Sequence, residues 1–178
     1  YHFTWNVLAN KTSTGGMSLF FGRFARELLQ AIDPNDRGVV INKLCAELKP
    51  RRPSAAEFDE AFSSLRFTDN YTSEKRIVQY ALARIYRHAS PTTAVDFSHM
   101  TIEHLAPQSS ASDRVGHLGN LIYVTESLNG DLDNKSWEEK RSILQNVADE
   151  WVPDDVKAAT SWGTPEITAR TQQLAELG

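Results

Sequence analysis

Ile102-Glu103-His104-Leu105-Ala106-Pro107-Gln108 is the stretch that decides how this chain is read. Residues 101–105 are short and rich in β-branched types, which predicts a strand. Leu118-Gly119-Asn120-Leu121-Ile122-Tyr123 follows, and residues 121–125 predict a second strand. The 15 residues between Leu105 and Leu121 read as a polar loop. Neighbours on a regular strand point to opposite faces. Glu103 and His104 therefore serve one site only if the first strand bends or ends there, and Pro107 suits such an ending. Thr125 is placed to cap a short helix reaching Asn129. Ser136-Trp137-Glu138-Glu139 is a capping box that opens another helix to about residue 148.

The residue types in this order suit one kind of chemistry. Breaking a phosphodiester needs a deprotonated water and positive charge near the phosphoryl oxygens. Mg²⁺ takes hard oxygen ligands, only one or two of them from protein. Glu103 offers a carboxylate and Asn129 an amide oxygen. His104 has an ordinary pKa near neutrality and suits removal of a proton from water. Asn120, at the start of the second strand, is expected to bond backbone near His104 and fix that base. The catalytic set is thus His104, Asn120 and Asn129, and the metal set is Glu103 and Asn129. Mg²⁺ is the expected ion, with Mn²⁺ able to substitute. Lys135 and Arg141 are candidate DNA contacts, as are Arg51, Arg52 and Arg76 in the basic N-terminal half. For each of these a solvated surface charge is the competing explanation.

The rest of the chain reads as helical. Phe20, Phe24, Leu28 and Ile32 mark a helix over residues 18–31, stopped by Asp33-Pro34-Asn35-Asp36. Residues 39–48 mix strand and helix signals and lean to helix. Ser54 and Glu57 form a capping box for a helix to about residue 65. A longer helix is predicted over 73–88, with Ile77, Tyr80, Ala81, Arg84 and Ile85 along its inner face. Pro165 is placed to start a last helix through residue 177. The resulting division is a helical N-terminal part (1–94), the two-strand segment with its helices (95–150) and a closing helical segment (151–178).

Net charge is −4, which taken alone argues against a nucleic-acid partner. Its distribution argues otherwise. Residues 1–94 carry 13 basic against 9 acidic side chains, residues 95–145 carry 4 against 8, and residues 146–178 carry 2 against 6. The acidic middle suits a cation and the basic half suits phosphates. A single cysteine, Cys45, excludes an internal disulfide and a Cys-x-x-Cys zinc knuckle, so no structural zinc is expected. It also suits a reducing cytoplasm. No apolar run approaches the roughly 20 residues of a membrane span, and no membrane partner is expected. The chain opens on Tyr1 rather than Met, so a longer protein is expected around it.

Residues 102–141 resemble the HNH (His-Me finger) domain at the C-terminus of GmrSD-type modification-dependent restriction enzymes. The resemblance rests on Glu-His-x-x-Pro-Gln at 103–108, Gly-Asn-Leu at 119–121, Asn129 and Asn-Lys-Ser-Trp-Glu-Glu-Lys-Arg at 134–141. Trp162 with Pro165, Glu166, Ile167, Arg170 and Leu174 is similar to that family's closing helix. It implies a mainly α fold, a helical domain with an embedded ββα-metal finger. It implies an endonuclease that nicks DNA, with Glu103 and Asn129 on Mg²⁺ and His104 activating water. It further implies an upstream nucleotide-hydrolysing sensor domain and a role in bacterial defence against phage or modified DNA. Some relatives are nickases linked to phosphorothioate-modified DNA. Glu103 departs from the aspartate that many HNH proteins carry there.

Two rival readings stand beside this one. The chain could be a non-catalytic DNA-binding or docking module, in which Lys49, Arg51, Arg52, Arg76, Arg84 and Arg87 matter most, or an RNase. Other chemistry has no support in the sequence. There is no His-Glu-x-x-His, no Gly-x-Ser-x-Gly and no phosphate-binding Gly-x-x-x-x-Gly-Lys. Asp131-Leu132-Asp133 begins like a calcium loop, but Ser136 replaces its glycine and Ser142 its closing glutamate.

Overall fold

A computed structural model describes residues 16–51, 53–90, 96–110, 112–148 and 150–177 of the protein. It is mainly helical, with one two-stranded sheet. Two compact units divide the chain, Tyr1–Ala61 and Phe62–Gly178.

The first unit is built on a pair of helices, α1 (Met17–Gln30) and α2 (Pro34–Leu48). Phe20 and Phe24 recur at helical spacing on α1 and, with Met17, meet Val40, Leu44 and Leu48 of α2. The segment expected to stop α1 also starts α2. Asp33 caps it by accepting from the Asn35 backbone N–H at 2.6 Å, and Pro34 takes the first position, where a missing N–H costs nothing. The helical choice for residues 39–48 holds. No α2 side chain is fully buried, and Leu29, Ile32 and Val39 stay exposed. Helix α3 (Ala55–Ser64) opens on the expected capping box, with Ser54 Oγ accepting from the Glu57 N–H and the Glu57 carboxylate accepting from the Ser54 N–H.

The second unit holds α4 (Lys75–Ala89), strands β1 (Met100–His104) and β2 (Leu121–Thr125), and helices α5 (Glu126–Leu132), α6 (Trp137–Asn146), α7 (Asp154–Ala158) and α8 (Thr164–Glu176). The strands are antiparallel, with Met100 opposite Thr125 and His104 opposite Leu121. β2 is buried on both faces. Its even positions, Ile122 and Val124, join Leu105, Leu128, Leu132, Trp137 and Leu144 in one core. On the other face the Tyr123 hydroxyl donates to the Gln79 carbonyl of α4 at 3.0 Å. The Tyr86 hydroxyl of α4 lies 2.7 Å from the Tyr123 carbonyl. Each large apolar side chain fully removed from water in such a core contributes about 1.5–3 kcal/mol before its entropy cost.

Several expectations needed correction. The inner face of α4 is Ile77, Val78, Ala81, Leu82 and Tyr86, whereas Arg84 is exposed and Tyr80 and Ile85 are only half-buried. Two apolar stripes compete on this helix, and the one ending in Tyr86 wins because its hydroxyl reaches the strand. α5 runs three residues past Asn129 so that Leu132 can be fully buried. The five-residue α7 was not foreseen, being too short to carry a helical period. The loop after β1 is not wholly polar: its end, a tight 3₁₀ turn at Leu118–Asn120, is buried.

That turn is where α8 seats. A Cβ on Gly119 would lie 2.1 Å from the Ile167 carbonyl oxygen and 2.8 Å from the Thr171 nitrogen, so only glycine lets the backbones approach. The Gly119 N–H donates to Thr171 Oγ1 at 3.0 Å.

Candidate active site

β1 ends at His104, as its neighbouring pair required. Glu103 and His104 are both nearly buried, 5% and 6% exposed, yet both line one cavity of about 430 Å³. Asn129 and Asp133, one turn apart on α5 and at its end, line the same cavity with Glu126 and Asn134. Lys75 and Gln79, one turn apart at the start of α4, line it too, as does Phe67. Glu126 and Asp133 thus form an acidic wall from α5, and Lys75 supplies a cation from α4.

His104 is held in a defined orientation. Its Nε2 lies 2.9 Å from the Phe67 carbonyl oxygen. A carbonyl only accepts, so Nε2 carries the proton of the neutral ring and Nδ1 keeps its lone pair. The two rings tilt against each other with centroids 5.8 Å apart. Burial pushes the imidazole pKa below its ordinary value, while the Phe67 carbonyl and Asp69 pull it back up. The Phe67 segment is fixed in turn. Its N–H donates to the Gly116 carbonyl at 2.8 Å. The Asp69 N–H donates to Gln108 Oε1 at 2.9 Å, and Gln108 Nε2 donates to Asp69 Oδ2 at 3.0 Å.

Glu103 faces a buried cation. Lys140 Nζ of α6 donates to Glu103 Oε1 at 2.5 Å and to the His104 carbonyl at 2.7 Å. Burial pushes the Glu103 carboxyl above its ordinary pKa, against the pull of Lys140. Asn129 Nδ2 donates to Thr101 Oγ1 at 3.3 Å, and its amide oxygen carries no hydrogen bond among the described residues.

Asn120 is fully buried and does not line this cavity. Its Oδ1 accepts from the Ala106 N–H at 2.7 Å and from Trp162 Nε1 at 3.0 Å. Its Nδ2 donates to the Ala106 carbonyl at 2.9 Å and the Val115 carbonyl at 2.7 Å. The amide therefore grips the backbone two residues beyond His104 and ties it to the far end of the loop. Trp162 stacks at 4.9 Å on Trp137, both as packing residues.

The model for the C-terminal domain of GmrSD restriction endonucleases matches residues 53–177. The chain belongs to this family. It therefore carries a restriction-endonuclease domain, and its substrate is DNA. No curated protein and no solved structure matches the chain.

Within this GmrSD C-terminal domain, the residues singled out by sequence divide into two sets. Glu103, His104 and Asn129 come together in one cavity, and Asn120 stands behind it. The expected DNA contacts do not line it. Lys135 Nζ turns back to the Asp131 carbonyl at 2.5 Å. Arg141 is half-buried on α6, and Arg76 is exposed on α4 beside the cavity-lining Lys75. Arg51, in the first unit, lies over the Phe20 ring at 4.8 Å. Arg52 lies outside the described residues. His117 binds the Ser63 carbonyl through Nδ1 at 2.9 Å.

Sequence reasoning missed Lys75, Asp133 and the Phe67 carbonyl. Asp133 carried one signal, its place one turn after Asn129. It has φ 38°, a left-handed value that costs a non-glycine residue energy. The Phe67 contact is made by backbone and has no side-chain signature.

The donors fit a hard divalent ion. Glu103, Asn129, Glu126, Asp133 and Asn134 are all oxygen-bearing and share the cavity, which suits Mg²⁺ or Mn²⁺ rather than a thiophilic metal. Among the described residues, no group of three or more His, Cys, Asp or Glu forms a ready-made metal cage. A site of one carboxylate and one amide needs none, because water and phosphate complete the shell.

Proposed function

We propose that β1, β2 and α5 form a ββα-metal (HNH) finger that nicks DNA by Mg²⁺-dependent hydrolysis. The observation that carries this reading is the convergence of Glu103, His104 and Asn129 on one cavity, with His104 Nε2 held by a carbonyl and Nδ1 left basic. Glu103 and Asn129 would hold the ion, whose charge would offset that building on the phosphoryl oxygens. His104 Nδ1 takes the proton from the attacking water. Burial keeps the ring neutral at pH 7 and ready for that transfer. Asn120 keeps the backbone after His104 in place, so the base does not drift. Lys75 contacts a phosphate of the bound strand from the α4 wall. One such site cuts one strand, so a single domain nicks. In the cell we place it in the cytoplasm, acting on phage or modified DNA with an upstream nucleotide-hydrolysing domain.

Plasmid nicking tests the reading. The wild-type chain is expected to convert supercoiled plasmid to open circles in Mg²⁺ or Mn²⁺ and not in EDTA. His104→Ala is expected to lose at least about 100-fold in rate, the usual contribution of a positioned base, with an unchanged circular-dichroism spectrum. A fully active His104→Ala protein ends the proposal.

A further inference from the structure

Lys140 is a lysine whose side chain is 1% exposed, paired with a glutamate whose side chain is 6% exposed. A buried ammonium is costly unless its donors are used. Both of its bonds go to consecutive residues of β1, the Glu103 side chain and the His104 backbone. Those two residues would point apart on a regular strand. Lys140 ties the Glu103 carboxylate to the backbone at the strand's end, on the wall of the cavity.

The carboxylate it grips has two oxygens. Oε1 is taken by Lys140, the His104 backbone N–H also bears on the carboxylate, and Oε2 has no side-chain donor among the described residues. We infer that Lys140 is a positioning residue that splits the work of Glu103: Oε1 anchors to the ammonium, and Oε2 is presented to the divalent cation. This rests on the metal-dependent reading above. It also accounts for glutamate at position 103. The extra methylene extends the reach of a side chain that meets Lys140 and lines the cavity together, so an aspartate there is expected to lose one of the two. The Glu103–Lys140 pair is formally neutral, so further attraction for the cation falls to Asp133 and Glu126, which line the same cavity.

Simple electrostatics and positioning predict opposite signs. Removing a nearby positive charge should tighten cation binding. Removing a positioning residue should weaken it, by about 10- to 100-fold for the partner of a metal-binding carboxylate. The test is calorimetric titration of the 178-residue chain with Mn²⁺ alone, for wild type, Lys140→Met, Glu103→Asp and Glu103→Gln. Circular dichroism reports folding. Lys140→Met and Glu103→Asp are both expected to bind Mn²⁺ about tenfold or more weakly. Because Lys140 acts through Glu103, the Glu103→Gln, Lys140→Met double variant should bind no more weakly than Glu103→Gln alone. Equal or tighter Mn²⁺ binding by Lys140→Met, or additive losses in the double variant, overturns the inference while leaving the nuclease reading standing. Absence of Mn²⁺ uptake by the wild type overturns both. If Lys140→Met fails to fold, Glu103→Asp decides alone, and wild-type affinity in that variant overturns the inference.

Discussion

The two strands of the sheet are held at the same end by two buried cations, each from a helix later in the chain. Lys140 of α6 grips the His104 carbonyl at the end of β1. Arg170 of α8 grips the Gly119 and Leu121 carbonyls at the start of β2, at 2.9 and 3.0 Å. His104 and Leu121 are partners in register, so the clamps face each other across the sheet. Their carboxylates differ. Glu103 is 6% exposed and lines the cavity, whereas Asp155, bound by Arg170 Nε at 2.7 Å, is 43% exposed. A half-exposed carboxylate keeps its water if the cation is lost, and a buried one does not. The Arg170 clamp is architecture. The Lys140 clamp places an ionisable group on the cavity wall.

The largest effect expected from this contrast is that of Lys140→Met. It strands a buried carboxylate and a buried carbonyl, and should lower unfolding stability by about 3–5 kcal/mol in urea titrations. Arg170→Met leaves its carboxylate largely hydrated and should cost less, about 2 kcal/mol from the unsatisfied carbonyls. Equal costs would remove the distinction between the clamps. Arg170→Met should also leave Mn²⁺ affinity within about twofold of wild type, since the hydrogen bonds of Arg170 go to Asp155, Gly119 and Leu121, none of which lines the cavity; a loss matching that of Lys140→Met would show that both clamps serve the ion site.

The seat of α8 offers a second break point. Gly119→Ala forces a methyl group against backbone on α8, where no side chain can yield, and should cost about 2–3 kcal/mol. Wild-type stability in that variant would mean that α8 is free to shift without loosening its clamp.

Acid should act on the histidines. Burial lowers the pKa of His104 and His117 below the ordinary histidine value of 6.5. The unfolded chain therefore binds more protons than the fold in the window between the lowered values and 6.5. The stability each contributes is present above 6.5 and lost as pH falls through its folded pKa. Urea midpoints should drop between neutral pH and about pH 5, and His117→Ala should flatten the slope. A slope unchanged in His117→Ala would remove that residue from the account.

The smallest effect is expected at Lys75. Lys75→Ala should leave stability within about 0.5 kcal/mol and reduce the salt slope of DNA binding by about one. An unchanged slope would take Lys75 out of contact with phosphate.

Much of this site was legible in the chain order. Glu103 and His104 lie side by side. Ending the strand after them needs only the local signal of Pro107, and Asn120 and Asn129 flank a strand with clear β-branched character. The helices at 17–30, 55–64 and 164–176 followed from caps and periodicity. The buried face of α4 did not, because two apolar stripes one position apart are equivalent until a partner chooses between them. The DNA-contact assignments rested on charge and, for Lys135, on the family pattern. Charge does not say whether a lysine turns to a phosphate or, like Lys135, to a nearby backbone carbonyl.

The one-dimensional order of residues determined the family, the mainly helical character and the chemistry of an imidazole beside a carboxylate, because those depend on local propensity and on which groups can ionise. Only the folded chain decided which nitrogen of His104 is basic, that Lys140 rather than a surface charge answers Glu103, and that Lys75 and Asp133 line the same cavity. Those facts come from backbone carbonyls and from contacts between residues far apart in sequence. Neither leaves a mark in residue spacing, since a carbonyl is common to every residue and burial is a property of the whole packed unit.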